Sequence, residues 1–594
     1  MNNIESRWTV YGKKADFGLI GQKYGIDPVV ARVIRNRDIV SEKDIEAYLK
    51  ADFSMCHDPF LMADMDKGCR IIAEKIECGK KIRIISDYDV DGVMSNYILL
   101  KGLKKAGAVV DYEIPDRILD GYGINERIIN DAYTDGVDTI ITCDNGIAAF
   151  SAIKLAKDLG MTVVVTDHHE VPYEINEDGD RKYNLVPADA VIDIKRIDCK
   201  YPYKGLCGAG VAYKFIRSLY KVIDIAWDDE EEYLDALAVA TVCDVMELRD
   251  ENRVYVKRGL KVLENTSNKG LAALIFVNSL KDKSLKAYHL GFIIGPCINA
   301  TGRLESAQKG LELLLTEDYQ EALILAEQLK VLNEQRKSMT EDGVEEAIKL
   351  VEEKHSKDKV LVIHIPKLHE SLAGIVAGRI REAYYKPVFV FTGDIEGIVK
   401  GSGRSIEGYH MYDSLNECKE YLLKYGGHEL AAGLSLEGDR LDDLRRALNE
   451  KCKLTDEQLI PLVRLDVAMP VSYISEKLIE DLDLLEPFGK GNEKPLFGQS
   501  NLAVKRAMKM GKNGQFVKII FMTEQGFTIE AVDFNGNKFT DCIKMWFSEE
   551  ECDKMFKGLS NDIRLDVAYY PDINEYMGRR TIQIKPVTYR KHND

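Results

Sequence analysis

The 594-residue chain is first narrowed by what it lacks. Its twelve cysteines stand singly, with no C-x-x-C pair, so nothing resembles a zinc ribbon or a disulfide framework. That usage suits a reducing cytoplasm. Long hydrophobic runs are missing too: no window approaches the ~18 apolar residues of a membrane span, and the opening MNNIESRWTVYGKKADFG has no apolar signal core. The expectation is a soluble, cytoplasmic protein with no membrane partner. Positive charge is in deficit. A formal net charge of −17 argues against a generally sticky polybasic binder, but a local basic patch or metal ions could still meet phosphates. Low-complexity tracts and internal repeats are absent as well.

What remains is an ordinary globular composition, 45% hydrophobic and 30% charged, at a length that implies about three or four domains. From about 80 to 250 an apolar strand, a loop and an amphipathic helix alternate. Strands are expected at 82–86, 108–113, 138–143, 162–166 and 189–193, and helices at 93–106, 124–134, 148–159 and 208–223. This alternation predicts a doubly wound, mostly parallel sheet, which binds ligands beyond the carboxyl ends of its strands. Residues 318–353 read as a charged helix with an apolar stripe, linking to a second α/β segment. There, strands are expected at 359–365 and 388–392, and helices at 371–384 and 410–424. Beyond about 461, short β-rich runs at 515–521, 527–533, 562–569 and 580–585 suggest a small barrel, with an OB-type barrel as one candidate.

The run "RIISDYDVDGVMSNYILL" (83–100) places Asp87, Asp89 and Asp91 at alternate positions after an apolar stretch. On an extended strand all three share a face. Carboxylates that close repel one another, and a bound cation removes the conflict. A solvated acidic turn ahead of a helix accounts for this run equally well. Other strand ends tip the balance. Asp144 follows the apolar run 140–143, Asp167, His168 and His169 follow 162–166, and Asp244 ends "AVATVCD". Carboxylates with one or two imidazoles suit Mn²⁺ or Mg²⁺ rather than a soft metal. Asp89, Asp91, Asp144, His168 and Asp244 exceed what one Mg²⁺ takes from protein, whereas two ions about 3.5–4 Å apart would use them all and favour phosphodiester hydrolysis. Cys143 and Cys243 adjoin proposed ligands, but on extended backbone they point away and read as core thiols.

Together DYDVDG (87–92), CDNGIA (143–148), TDHHE (166–170) and TVCDVMEL (241–248) resemble the DHH phosphoesterase superfamily, specifically its RecJ-type exonucleases. DPFLMADMDKG (58–68), IPDRILDGYGIN (114–125), GLCGAGVAYK (205–214) and IGPCINATGRL (294–304) are similar to the family's surrounding context. HESLAGIVAGRI (369–380), KGSGRS (400–405) and YGGHELAAG (425–433) resemble its DHHA1 domain, and LEPFGKGNEKPLF (485–497) the lead-in to its OB domain. The resemblance implies a helical extension at 1–75, a DHH domain at 76–317, a connecting helix at 318–355, a DHHA1 domain at 356–455 and an OB-like domain at 456–594.

It also implies roles. Asp89, Asp91, Asp144, His168 and Asp244 match metal positions. Asp87 matches the first aspartate of the motif, either a ligand or a support. His169 faces the phosphate, and Asp167 orients a histidine. Arg117, Arg303, Ser402 and Arg404 match a 5′-phosphate pocket, where arginine forks grip phosphate and Gly401 and Gly403 let backbone amides approach. Gly426, Gly427 and His428 read either as a turn with a satisfied histidine or, in the GGHELAAG context, as a helix N-terminus contacting the nucleotide phosphate, with His428 bonding the scissile phosphate or bracing the site; His369 begins a similar loop. In the barrel, Phe516, Phe534, Tyr569 and Tyr570 fill the core or stack bases, with Lys512 and Lys518 tracking phosphates. The implied activity is 5′→3′ hydrolysis of single-stranded DNA to mononucleotides with Mn²⁺ or Mg²⁺, the strand threading between two α/β lobes. The setting is DNA repair and recombination, with a single-strand-binding protein or a helicase as partner. Ser86 and Val90 stand where the family commonly has Gly and Ala, and GQFVKI (514–519) replaces a usual His-Leu-Lys-Leu-like run. A phosphodiesterase for short oligonucleotides or cyclic dinucleotides is the rival enzyme, and a non-catalytic replication scaffold the rival of another class.

Overall fold

The computed structural model describes residues 6–593 except 118, 122, 176–179, 228 and 577. Ile118 and Tyr122 of the 114–125 motif therefore lie outside the described residues. The chain divides into two compact units, Glu46–Ser338 with Pro487–Glu493, and Met1–Ile45 with Met339–Glu486 and Lys494–Asp594.

In the first unit β1 (Lys81–Ser86) leads through a tight turn into α1 (Val90–Lys105). There follow β2 (Val109–Glu113), β3 (Thr139–Cys143), β4 (Thr162–Asp167) and β5 (Ala190–Asp193). These five strands form a parallel sheet in the order β2-β1-β3-β4-β5. The central strands are buried on both faces, as their continuous apolar runs require. Ile84, Ile141 and Val164 face one core with Ile98 and Leu99 of α1, Phe215 of α2 (Gly208–Val222) and Leu237 of α3 (Leu234–Cys243). Ile85, Ile140 and Val163 face the other, with Ile128 and Ile153. The strand order reverses between β1 and β3, so the crevice beyond their carboxyl ends is where such a sheet binds its ligand. Further along, α4 (Gly295–Leu304) precedes the long α5 (Tyr319–Leu350), within which the two units divide.

The second unit contains β6 (Leu361–His364), α6 (Ala373–Tyr384), β7 (Val388–Thr392), β8 (Ile398–Arg404), β9 (Lys424–Gly427) and β10 (Ala431–Glu437). They build a mixed sheet in the order β9-β10-β8-β7-β6. The same unit holds β11 (Phe497–Met510), β12 (Phe516–Met522), β13 (Thr528–Asp533), β14 (Arg564–Tyr576) and β15 (Arg579–Lys591). These pair as β11-β12-β13-β15-β14, and β14 returns to β11, which closes a five-stranded barrel. Tyr569 is core, as burial of a barrel aromatic predicts, with its hydroxyl donating to the Met469 carbonyl at 2.7 Å. Phe534 is instead exposed, edge-on to Phe516.

Four local expectations are corrected. Asp87, Asp89 and Asp91 do not share a strand face: β1 ends at Ser86, Asp89 caps α1 and Asp91 lies in its first turn. The helix expected over 410–424 stops at Asn416, and β9 begins at Lys424. Gly426 and Gly427 end a strand rather than open a helix, and His428 sits in the β9–β10 hairpin. Finally, residues 400–404 of KGSGRS lie within β8, paired on both sides. A Cβ at Gly401 would press on the Phe391 ring at 2.5 Å, and one at Gly403 on Met411 Sδ at 2.5 Å. Those glycines make room for core side chains rather than for a phosphate.

Candidate metal centre and phosphate contacts

Strand ends of the parallel sheet aim their acids at one point. After β1 the chain turns so sharply that a Cβ at Gly92 would collide with the Asp87 carbonyl. Asp89 accepts from Gly92 N at 3.1 Å as the N-cap of α1. Asp91, one turn in, is held from across the site: Gly208 N and Ala209 N, at the start of α2, donate to its two oxygens at 2.6 and 2.8 Å. After β3, Asp144 adopts φ 60°, a left-handed conformation that costs a non-glycine residue about 1–3 kcal/mol and marks functional turns. A Cβ on Gly208 would lie 2.6 Å from that of Asp144, so the helix start and the aspartate fit only with glycine there.

His168, after β4, is the meeting point. Its Nε2 lies 3.1 Å from Asp144 Oδ1, 3.6 Å from Asp91 Oδ2 and 3.7 Å from Asp244 Oδ2, the last carried by the end of α3. Asp87, Asp89 and Asp144 bring ligand atoms within 4.8 Å of one another, as do Asp91, His168 and Asp244, and also Asp144, His168 and His169. Asp144 belongs to two of these groups, which is the arrangement a carboxylate shared between two ions requires. His169 Nδ1 pairs with Asp167 Oδ1 at 2.7 Å, and Asp167 also accepts from Ile147 N at 2.9 Å.

The electrostatics fit a divalent metal pair. Burial, then the charges of Asp91, Asp89 and Asp87, push the Asp144 carboxyl well above the usual range. Burial and Asp89 do the same to Asp87, and burial and Asp91 raise Asp89. Asp244 is pushed up to about 8 by burial and by Asp91 and Asp89. Such crowding calls for positive charge. Asp87 Oδ1 and His168 Nδ1 are buried without a hydrogen-bond partner among the described residues. His168 is held below its usual value, chiefly by burial, and so offers a neutral imidazole. His169 behaves oppositely: burial disfavours its charge, but the hydrogen bond and charge of Asp167 raise it to about 9. Hard oxygen donors with one imidazole suit Mn²⁺ or Mg²⁺.

Burial drives the thiols of Cys143 and Cys243 upward, and Cys243 Sγ donates to the Leu290 carbonyl at 3.5 Å, away from the ligands. A separate grouping of His57, Asp250 and Glu251 is committed elsewhere, because Glu251 accepts from His57 N, Tyr201, Lys214 and Tyr255 in a buried network.

Arg117 and Arg303 lie beside this cluster, near enough for their charges to interact. Arg117 lies over the Tyr88 ring at 4.9 Å, and Gly302 abuts the Tyr88 carbonyl. Arg303 is lowered to about 10 by burial and by the charges of Arg117 and Arg336. Arg336, on α5, is a third arginine that sequence reasoning missed, because nothing around it forms a motif. The amides of Gly208 and Ala209 were also missed; the Gly-x-Gly at 208–210 was their signal. In the other unit, Ser402 and Gly426 both pair opposite Gly433, so β8, β10 and β9 place them in one row across the sheet. Arg404 lies over the first turn of α6, where a Cβ on Gly374 would come 2.8 Å from its Nη2. His369 Nδ1 bonds Ser371 Oγ at 2.8 Å.

A carboxylate–imidazole cluster at the switch point of a parallel sheet, followed by a glycine-rich mixed sheet and a closed barrel, defines a multidomain phosphoesterase. The DHH family N-terminal domain matches residues 81–241, the DHHA1 domain 357–454 and the RecJ OB domain 465–587. The chain is 34% identical to the single-stranded-DNA-specific exonuclease RecJ of Bacillus subtilis, over 90% of this chain and 67% of that protein. To RecJ of Escherichia coli it is 31% identical, over 94% and 95%. The crystal structure of RecJ with Mn²⁺ from Thermus thermophilus superposes with a TM-score of 0.80 at 26% identity, over 99% of this chain and 80% of that one. The chain belongs to the RecJ family.

Proposed function

We propose that this chain is a hydrolytic nuclease, a single-stranded-DNA-specific exonuclease that depends on Mn²⁺ or Mg²⁺ and releases mononucleotides from a 5′-phosphorylated end. The observation that carries this reading is the convergence of Asp91, Asp144 and Asp244 on His168 Nε2 within 3.1–3.7 Å. Bound to Asp87, Asp89, Asp91, Asp144, His168 and Asp244, a metal pair would polarise the phosphodiester and lower the pKa of an attacking water. The rest falls to the protein. The amides of α2 hold Asp91 in place, and Asp167 holds His169 so that its charged ring offers an N–H to a phosphate oxygen. In the first unit Arg117 and Arg303 offer guanidinium groups to the terminal 5′ phosphate, and in the second Ser402 and Arg404, with Gly426, Gly427 and His428 at the β9–β10 hairpin, are assigned to phosphates of the strand. We place the reaction in the cytoplasm, in DNA repair and recombination, with a single-strand-binding protein or a helicase supplying the strand. No helix among the described residues is long and apolar enough to cross a membrane.

A time course on 5′- and 3′-labelled single strands, with Mn²⁺ and with chelator, tests the reading. Labelled mononucleotide should appear at once from the 5′ label and only in the presence of metal. A ladder shortening from the 3′ end would reverse the assigned polarity, and cleavage confined to dinucleotides would favour a short-oligonucleotide phosphodiesterase, for which the barrel has no use.

A further inference from the structure

The first unit holds a cavity that the metal cluster does not use. Its volume is about 590 Å³, inside the ~300–1,000 Å³ of small-molecule sites, and its walls are residues 53–60, the second half of α2 and the segment 224–230. Helix α2 reaches both places. Its first amides, those of Gly208 and Ala209, hold Asp91, whereas the side chains from Lys214 to Lys221 line the cavity. At about 1.5 Å per residue, Arg217 and Lys221 stand roughly 14 and 20 Å along the helix from Gly208, so the cavity is a separate place.

The lining combines three chemistries. Phe60, Tyr220 and Trp227 supply aromatic surface, with the Trp227 ring set at 5.5 Å from Tyr220 and edge-on to Tyr213 at 5.6 Å. Arg217 and Lys221 supply positive charge. Lys214 is already committed, donating to the His57 carbonyl at 2.7 Å and pairing with Glu251. Arg217 and Lys221 lie over rings instead, Arg217 over Trp227 at 5.5 Å and Lys221 over Phe60 at 5.2 Å, and neither forms an ion pair among the described residues. Asp58, Asp224 and Glu230 supply acceptors around the same space. Trp227 Nε1 is a buried donor with no hydrogen-bond partner among the described residues.

This combination selects an occupant. A strongly acidic peptide would meet three carboxylates, and a purely apolar ligand would leave both cations unused. One anionic group for Arg217 and Lys221, a flat ring for the aromatic wall, and hydroxyl or amino donors for the acids together describe a nucleotide. We propose that the cavity binds a nucleoside monophosphate, with its base against Phe60 and Trp227 and its phosphate on Arg217 and Lys221. The choice of a deoxynucleotide rests on the exonuclease reading, since that activity releases one. The bound nucleotide lies apart from the metal cluster and takes no part in bond cleavage.

Isothermal titration calorimetry of the full chain in chelator, with dAMP as the probe, tests the site. Wild type should bind one dAMP, and 2′-deoxyadenosine, which lacks the phosphate, at least fivefold more weakly. Arg217→Ala and Lys221→Ala should each weaken dAMP by about five- to tenfold. Lys221 is exposed, so its variant keeps the fold even where loss of the Arg217 guanidinium disturbs Trp227. Arg303→Ala, beside the metal cluster, should bind dAMP as wild type does. Four results would overturn the site: no heat of binding in wild type, binding lost in Arg303→Ala, binding unchanged in both Arg217→Ala and Lys221→Ala, or tetraglutamate bound more tightly than dAMP. A separate assay with Mn²⁺ and a 5′-phosphorylated strand scores the exonuclease reading. If that assay alone fails, dAMP is no longer the chain's own product, while the calorimetry in chelator still judges the cavity.

Discussion

The parallel and mixed sheets both carry candidate site residues, but they present them in opposite ways. In the parallel sheet the central strands are buried on both faces, so chemistry has to sit beyond their ends, and Asp87, Asp144 and His168 follow the last or next-to-last residue of an apolar run. In the mixed sheet the residues sit on strands and a hairpin, where alternate side chains reach solvent, and Ser402 and Gly426 come together only through register with Gly433. One sheet concentrates charge at a rim, and the other lays out a face. The first arrangement should be sensitive to the loss of a single charge, the second to the loss of backbone shape.

The sharpest way to test that contrast is Asp144→Asn, which keeps size and removes charge. Asp144 belongs to two of the three ligand groupings and faces His168 at 3.1 Å. We expect hydrolysis in Mn²⁺ to fall on the order of 10³-fold, several kcal/mol of transition-state stabilisation, with no loss of melting temperature. Initial rates over a metal titration would show it. Activity restored simply by more Mn²⁺ would reduce Asp144 to an affinity determinant.

The mixed sheet should respond to shape instead. Gly427 has φ 146°, and a Cβ there would collide with the Ala431 carbonyl, whereas one at Gly426 would meet nothing within 4 Å. Gly427→Ala should therefore cost about 1–3 kcal/mol of stability, and Gly426→Ala close to none. Chemical denaturation of the two variants checks this. Equal midpoints would mean that the hairpin tolerates what its geometry forbids.

The same contrast explains what the sequence disclosed. Asp144 and His168 were legible because an apolar run ending in acid or imidazole is a local signal, and all five parallel strands could be placed from their runs. The β9–β10 hairpin was misread as a helix start because YGGHELAAG carries helix formers and a glycine pair, and the pairing that overrides them comes from β8, some twenty residues upstream. Asp87, Asp89 and Asp91 do converge, but through a strand–helix turn rather than a shared strand face, since Gly92 packs against the Asp87 carbonyl. Arg336 had no signal at all: its role depends on which face of a 32-residue helix meets Arg303.

Charge at the rim also sets a pH dependence. In the folded, metal-free protein Asp244 titrates at about 8, and Asp87, Asp89 and Asp144 are raised as well. Unfolded carboxyls ionise near ~4. The folded state thus holds protons more tightly, so this contribution to stability is fully present below about pH 4 and is lost as pH rises toward about 8. Bound metal replaces those protons, so the rise in Tm on adding Mn²⁺ should widen between about pH 5 and 8. Calorimetry of chelated and Mn²⁺-loaded protein across that range measures the gap. A gap that narrows with pH would contradict the crowded-acid account.

The smallest expected effect concerns the arginines beside the rim of the parallel sheet. Arg303 and Arg117 lie beside the acids yet repel each other, and Arg336 adds a third positive charge, with its Nε bonded to Asn333 at 3.0 Å. Like charges repel, and on the proposed reading a terminal phosphate would be drawn to them. Arg336 is half-buried and reaches Arg303 through charge rather than through a motif, so Arg336→Ala should weaken 5′-phosphorylated strands by about 1 kcal/mol, roughly fivefold in KM. Strands ending in a 5′ hydroxyl should change less, because they lack the group that the three arginines jointly attract. Arg303→Ala, at the buried centre of the trio, should produce the larger discrimination of the two. If Arg336→Ala weakened both kinds of end equally, its charge would be acting on the strand at large, and the arginines would form a general electrostatic funnel rather than a pocket for the terminal phosphate.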